Sequence, residues 1–238
     1  MLKKHGITQS TPKELLLGAG TYYKDLKYVL GTGWQGTILG ATQGGGKVSM
    51  TGEYMTVEAD GATVKVKGLE RKVGESATME INLLEMKESH LVDVLHMEED
   101  TTKNVPGYKV YKTKASIGDS DYFENIAFVG FLTSGEAVII IFENGIIEGA
   151  LELEPKNKEV SVFTATVECT ADIEQDDLEH LPVFIYYPQE VDNTIYTQEQ
   201  LEAMTIEQIK AIATARGYTI TETTKANIIT EFLAAQNS

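Results

Sequence analysis

Between about Gly40 and Pro188 apolar residues recur at every second position, the period of strands with one buried and one wet face. In "ATVKVKG", Val64 and Val66 fall on one face and Thr63, Lys65 and Lys67 on the other. In "ATMEINL", Met79, Ile81 and Leu83 stand opposite Thr78, Glu80 and Asn82. Asp60-Gly61 separates "EYMTVEA" from "ATVKVKG" and predicts a tight hairpin turn, because glycine there supplies positive φ. A second hairpin is expected in "ENIAFVGFLTSGEAVIIIFENG", turning at "TSGE". A third should join "IIEGALELE" to "EVSVFTATVECTA" across "PKNKE", and "LPVFIYYP" reads as one more strand bracketed by prolines.

The helical period interrupts this texture once. "MKESHLVDVLHMEED" puts Leu91, Val94 and Leu95 on one stripe. The polar, turn-rich "TTKNVPGYKVYKTKASIGDSD" that follows predicts a long excursion. After the linker "PQEVDNT" the helical period takes over. Thr197 with Gln200, and Thr205 with Gln208, have capping-box spacing. Ile206, Ile209, Ile212 and Ala213 form an apolar stripe, Gly217 is a helix stop, and a further helix from about Thr224 should bury Ile228, Ile229, Phe232 and Leu233. The expected division is a β domain with an N-terminal arm over 1–190, then a linker and a helix–extension–helix module over 191–238.

Composition narrows the functions open to such a chain. Its 238 residues carry a net charge of −16, which argues against clamping nucleic acid or anionic lipid. An acidic surface does suit one past which a polyanion slides without sticking. The single Cys169 excludes an internal disulfide framework and is expected on a buried strand face with Phe163, Ala165 and Val167. "MLKKHGITQST" has no apolar run behind its lysines, and "AVIIIF" is far shorter than the ~20 residues of a membrane helix. A cytosolic protein without a membrane segment is expected.

No catalytic template is met in both residue type and spacing. "GATQGGGKVSM" opens like a phosphate loop, but Ala41 stands where a glycine is needed, Val48 where Ser or Thr is needed, and no helical stripe follows. His90 and His96 lie six apart, out of register for a shared metal, and His90 reads as a half-exposed helix residue. "GESAT" lacks the second glycine of a nucleophile elbow, and the acidic runs "GDSDYFE" and "DIEQDDLEH" lack the calcium-loop arrangement. Neither an enzyme nor a cofactor or metal is expected.

The order of these elements, and "LGATQGG" from Leu39 to Gly45 in particular, resembles the major tail protein of long-tailed bacteriophages. In that family such a segment precedes a strand ending in an Asp-Gly turn (here "EYMTVEADGATVKVKG"), a long strand ("ESATMEINLLEM") and a helix, and the likeness spans most of residues 14–188. "MTIEQIKAIATARGYTITETTKANIITEFL" is similar to the helix–extension–helix modules related to SAP and LEM domains. The resemblance implies a mainly β, tail-tube-type β-sandwich or barrel with one flanking helix and a small all-α C-terminal module. It also implies a structural virion protein whose hexameric rings stack into a tube that carries DNA into the host. The partners implied are further copies of itself, a tape measure and tail terminator, and double-stranded DNA in passage. The site implied is the virion tail, assembled in the host cytoplasm.

On that reading Leu39, Gly40, Ala41, Thr42, Gly44 and Gly45 form a candidate assembly segment. It is expected as a mobile lead-in from the N-terminal arm to the first strand, ordering on assembly. "TVKVKG" and "ATMEINLL" are expected as inner-barrel strands, with Glu80 and Asn82 facing the lumen. The C-terminal module holds Lys210, Arg216 and Lys225 against five glutamates from residue 196 on, which suits an outer decoration better than a phosphate binder. The competing reading is a decoration or adhesin-type binding protein that does not polymerise.

Overall fold

A computed structural model of the chain describes residues 4–148, 157–158, 160–174, 178–189 and 194–236. The chain forms two compact units, 1–187 and 188–238. The first is mainly β. Its strands are β1 (Leu16–Val29), β2 (Gly33–Ile38), β3 (Thr42–Thr56), β4 (Glu70–Leu83), β5 (Met97–Glu99), β6 (Tyr111–Thr113), β7 (Phe123–Leu132), β8 (Ala137–Glu148), β9 (Phe163–Cys169) and β10 (Val183–Tyr186), with helix α1 (Glu88–Asp93) between β4 and β5. The main sheet runs β2-β1-β7-β8-β9-β4-β3, and β10 adds to β8. All of its pairings are antiparallel: β10 takes the part of β8 from Ile139 to Phe142, and β9 takes Gly145 to Glu148. The expected excursion holds the separate pair β5–β6.

The alternation in β4 is realised: Ala77, Met79, Ile81 and Leu83 are buried and Thr78, Glu80 and Asn82 are not. The hairpin at "TSGE" is the β7–β8 turn, with Gly135 at φ 93°. Residues 149–156 and 159, where the rest of the third expected hairpin falls, lie outside the described residues, but its flanks pair from Gly145↔Cys169 to Glu148↔Thr166.

Three expectations change. Strands begin at Leu16 rather than near Gly40, so β1 and β2 occupy what reads as an N-terminal arm. The alternation of β1 is hidden because the strand bulges twice, between Leu17 and Thr21 and between Lys24 and Lys27. The second bulge centres on Asp25 at φ 56° and inserts one residue, which turns Tyr22 and Leu26 to opposite faces. "TVKVKG" is no strand and therefore no inner-barrel strand: residues 61–69 belong to the loop joining β3 to β4, and Val64 and Val66 are exposed. The Ala59–Ala62 turn does form around Asp60-Gly61, but the strands meet again only where the Val57 amide donates to the Leu69 carbonyl at 2.8 Å.

The larger core gathers Tyr22, Met79, Ile81, Leu83, Phe142, Phe163 and Val167. A smaller one on the other face of β7 and β8 holds Leu26, Ala127, Val129, Ile139 and Ile141. Burial on both faces is why "AVIIIF" reads as a solid apolar run rather than an alternating one. Asn125, also buried, clamps the Leu26 backbone: its Oδ1 accepts from the amide at 2.8 Å and its Nδ2 donates to the carbonyl at 3.2 Å.

The second unit contains α2 (Gln198–Ala203), α3 (Ile206–Ala215) and α4 (Lys225–Gln236). Both capping boxes form, with the Thr197 and Thr205 amides donating to the Gln200 and Gln208 side chains at 2.9 Å. Gly217 ends α3 at φ 73°. Leu201, Ile209, Ala213, Ile228, Ile229 and Phe232 form its core, and the Arg216 guanidinium lies over the Tyr196 and Phe232 rings.

Candidate assembly surface

The residues from Leu39 to Gly45 do not lead in to the first strand; they end the β2–β3 connection and open β3. Leu39 is buried, its amide donating to the Tyr22 carbonyl at 3.0 Å and its carbonyl lying 2.8 Å from His90 Nε2. His90, expected half-exposed, is buried: its Nδ1 accepts from the Lys87 amide at 3.2 Å, which leaves Nε2–H to donate to the Leu39 carbonyl. Gly40 is packed closely enough that a Cβ would touch Glu85, His90 and Leu83. The Ala41 carbonyl accepts from the Leu84 amide at 2.8 Å, and Thr42 pairs with Leu83.

Between Thr42 and Gly46 the register slips, and Gly44 and Gly45 take φ of 81° and 76°. Glycine is needed at both because a side chain is strained in that region. Asn82 fastens the bulge: its Nδ2 donates to the Gly45 carbonyl at 3.0 Å, and its Oδ1 accepts from Thr164 Oγ1 at 2.7 Å. Glu80 stands between Lys47 on β3 and Thr166 on β9. The structure therefore brings Gly45, Glu80 and Asn82 into one corner and pairs the glycine run to β4 within a single chain. The Gly-Gly-Gly-Lys run lies inside a strand, with no helix N-terminus behind it to cradle a phosphate.

Gly46 is the residue that sequence reasoning passed over. A Cβ there would overlap both Tyr22 Oη and the Glu80 carbonyl, so glycine lets β1 close onto β3. Burial, and then the charge of Glu80, push the Tyr22 hydroxyl above its ordinary pKa. Three successive glycines are the only signal in the sequence; that the third faces a tyrosine from another strand is not written there.

Beyond Met50 the hairpin changes character. Pairing continues from Met50↔Ala77 to Thr56↔Glu70, yet β9 reaches β4 only from Thr78 to Leu83 and β3 ends the sheet. Among the described residues this outer half is thus a two-stranded ribbon with no strand paired to either edge. It also exposes apolar side chains: Tyr54 is 69% and Met55 52% accessible, with Met50, Val57 and Val73 exposed beside them.

A second apolar surface lies on the β1–β2 hairpin. Tyr28 and Trp34 pair across the strands with ring centroids 5.6 Å apart, and Trp34 meets Tyr186 of β10 edge-on at 4.9 Å. Other polar groups serve the fold. His96 Nε2–H donates to the Ile147 carbonyl at 2.7 Å, while Lys114 and the Gly118 amide hold the Asp121 carboxyl below the usual range. Among the described residues no group of three or more His, Cys, Asp or Glu is placed to hold a metal, and no helix is long and apolar enough to cross a membrane. Compared with known proteins, the chain matches no protein-family model and no curated protein sequence.

Proposed function

We propose that this protein is a self-assembling structural subunit, the tail-tube protein of a long-tailed bacteriophage, whose hexameric rings stack into a conduit for DNA. The observation that carries this reading is the outer half of the β3–β4 hairpin. A two-stranded ribbon alone is marginal in water, and free edges with apolar side chains are a template for another chain. Pairing with a neighbouring subunit would satisfy the edges, with Tyr54 and Met55 on opposite faces of the extended sheet. A repeated head-to-tail contact of that kind gives a ring where its rotation closes, as the proposed hexamer requires.

The finer parts of the reading follow from the same geometry. Glu80 and Asn82 stand on the face of β4 turned away from the larger core, as lumen-facing positions require. The net charge of −16 suits a conduit that passes a polyanion without trapping it. The helical unit, as a helix–extension–helix decoration on the outside, has too few cations to grip that polyanion.

Electron microscopy of the purified chain at rising concentration tests the proposal, with long hollow tubes as the expected result. Discrete small particles would favour the decoration or adhesin reading instead. Because β3 is already paired with β4 in the single chain, both at Thr42 and Gly46 and from Met50 to Thr56, the amides that gain exchange protection on assembly should be those of β3 that point away from β4.

A further inference from the structure

Two residue pairs in this chain are open to the same spontaneous chemistry, and the fold treats them in opposite ways. Asp60-Gly61 is its only Asp-Gly pair and Asn144-Gly145 its only Asn-Gly pair. In each, the glycine nitrogen, unhindered by a side chain, can reach the preceding side-chain carbonyl carbon and close a five-membered ring. In an unfolded chain Asn-Gly reacts the faster, because an aspartate is mostly ionised near neutral pH and a carboxylate accepts a nucleophile poorly.

Around Asp60-Gly61 nothing opposes ring closure. The pair sits at the centre of the Ala59–Ala62 turn, where the Ala62 amide donates to the Ala59 carbonyl at 3.1 Å and Gly61 takes φ 85°. Residues 57–68 are all exposed, and no atom lies within 4 Å of where a Gly61 Cβ would stand. Among the described residues the Gly61 amide donates to no acceptor and the Asp60 carboxyl meets no donor or cation.

Asn144-Gly145 lies inside β8. Gly145 is buried and pairs with Phe123 on one side and Cys169 on the other. The Asn144 carbonyl accepts from Thr170 Oγ1 at 2.6 Å, and Val167 Cγ1 is 2.9 Å from the place of a Gly145 Cβ. Ring closure must turn a peptide group that two strands and a hydroxyl hold, so it waits on local opening of the sheet.

We infer that Asp60 is a site of spontaneous isomerisation to isoaspartate in the folded protein. The Gly61 nitrogen attacks Cγ of the protonated carboxyl and forms an N–Cγ bond. The Cγ–O bond breaks, and the hydroxyl leaves as water with the amide proton. Water then opens the ring. Attack at Cγ restores aspartate. Attack at the Asp60 main-chain carbonyl carbon breaks its bond to the Gly61 nitrogen, so the chain runs through Cβ and Cγ and a free α-carboxylate remains. One water leaves and one returns, and one carboxylate stands before and after, so mass and charge are unchanged.

The main chain gains a methylene at the tip of the β3–β4 hairpin. Its two limbs next meet where the Val57 amide donates to the Leu69 carbonyl, so the pairing inward of that contact is untouched. This chemistry needs no second copy of the chain.

To test it, the full chain is held for weeks at physiological temperature, folded and in guanidinium chloride. Its tryptic peptides are then separated and fragmented by electron transfer, which distinguishes isoaspartate from aspartate. In the folded chain the isoaspartyl fraction at residue 60 should rise steadily, with deamidation at Asn144 slower by ~tenfold or more because it needs the sheet to open. In denaturant the order should reverse. Asp60→Glu, which closes only a slower six-membered ring, should lose the isoaspartyl signal, and aged native protein should melt with fresh.

A folded chain that keeps aspartate at 60 while the denatured chain converts it would overturn the inference, since the turn would then shield the pair. Deamidation at Asn144 as fast in the folded chain as in denaturant would refute protection by the sheet. A lowered melting temperature in protein modified at 60 alone would refute confinement to the tip.

Discussion

In the half of the β3–β4 hairpin nearest the sheet, Met79, Ile81 and Leu83 point into the larger core and β4 is paired on both edges, by β3 and β9. Beyond Met50 and Ala77 no third strand pairs with either one among the described residues; Tyr54 and Met55 face solvent, and the Leu181 amide reaches only the Glu75 side chain, at 3.0 Å. The backbone and its pairing run through both halves. What differs is a third strand and a core, and with them the source of stability passes from the chain itself to whatever else can cover it. A strand pair that leaves most of its apolar side chains in solvent is a contact surface in waiting.

Three comparisons sharpen or break that contrast. The largest effect is expected at Ile81, which has no accessible surface. Ile81→Ala should cost ~2–5 kcal/mol in urea denaturation of the monomer, whereas Met55→Ala should stay within ~0.5 kcal/mol. Equal losses would mean that the outer half is as well supported as the inner.

The glycines give a second comparison. Gly46→Ala drives a methyl into Tyr22 and the Glu80 carbonyl and should cost about 1–3 kcal/mol, read as a lowered melting temperature. A Cβ at Gly52, in the outer half, meets the exposed Tyr54 ring, nearest atom 2.8 Å, and that ring is free to swing away. Gly52→Ala should therefore melt with the native protein. If Gly46→Ala did so too, the closure of β1 on β3 would not depend on glycine.

The smallest effect concerns thiols. Burial pushes Cys169 up to about 12, while a thiol in the unfolded chain ionises near ~8.5. The folded form holds its proton longer, so its stability is whole below ~8.5 and falls as pH rises toward the folded value, by at most ~1.4 kcal/mol per pH unit. Denaturation at pH 8, 9 and 10 should show this slope in the native protein and lose it in Cys169→Ala. At pH 8 a thiol reagent should modify Val73→Cys in the outer half at once and reach Cys169 only on unfolding. Prompt labelling of Cys169 in the folded chain would contradict its burial.

Much of the architecture is legible because it is local. The β7–β8 turn needs Gly135, and the α2 and α3 caps join residues three apart, so each signal lies within one short window. The alternation in β4 is legible because one face is buried along an unbulged run. The candidate segment is only half legible. Its glycines are plain in the sequence, but Asn82 as their clasp and Tyr22 as the reason for Gly46 come from other strands. His90 reads as half-exposed until its partner, the Leu39 carbonyl 51 residues earlier, is brought to it.

By itself, then, the sequence determined the period of most strands, the helical ends, the single buried thiol and the acidic balance. These depend on side-chain alternation, on hydrogen bonds between near neighbours and on composition. Tertiary structure alone decided that "TVKVKG" alternates without becoming a strand, that bulged β1 and β2 do become strands, and that one hairpin is core in one half and surface in the other. An alternating segment is a strand only where a neighbour takes its hydrogen bonds and a core takes its apolar face, and both come from residues far away in the chain.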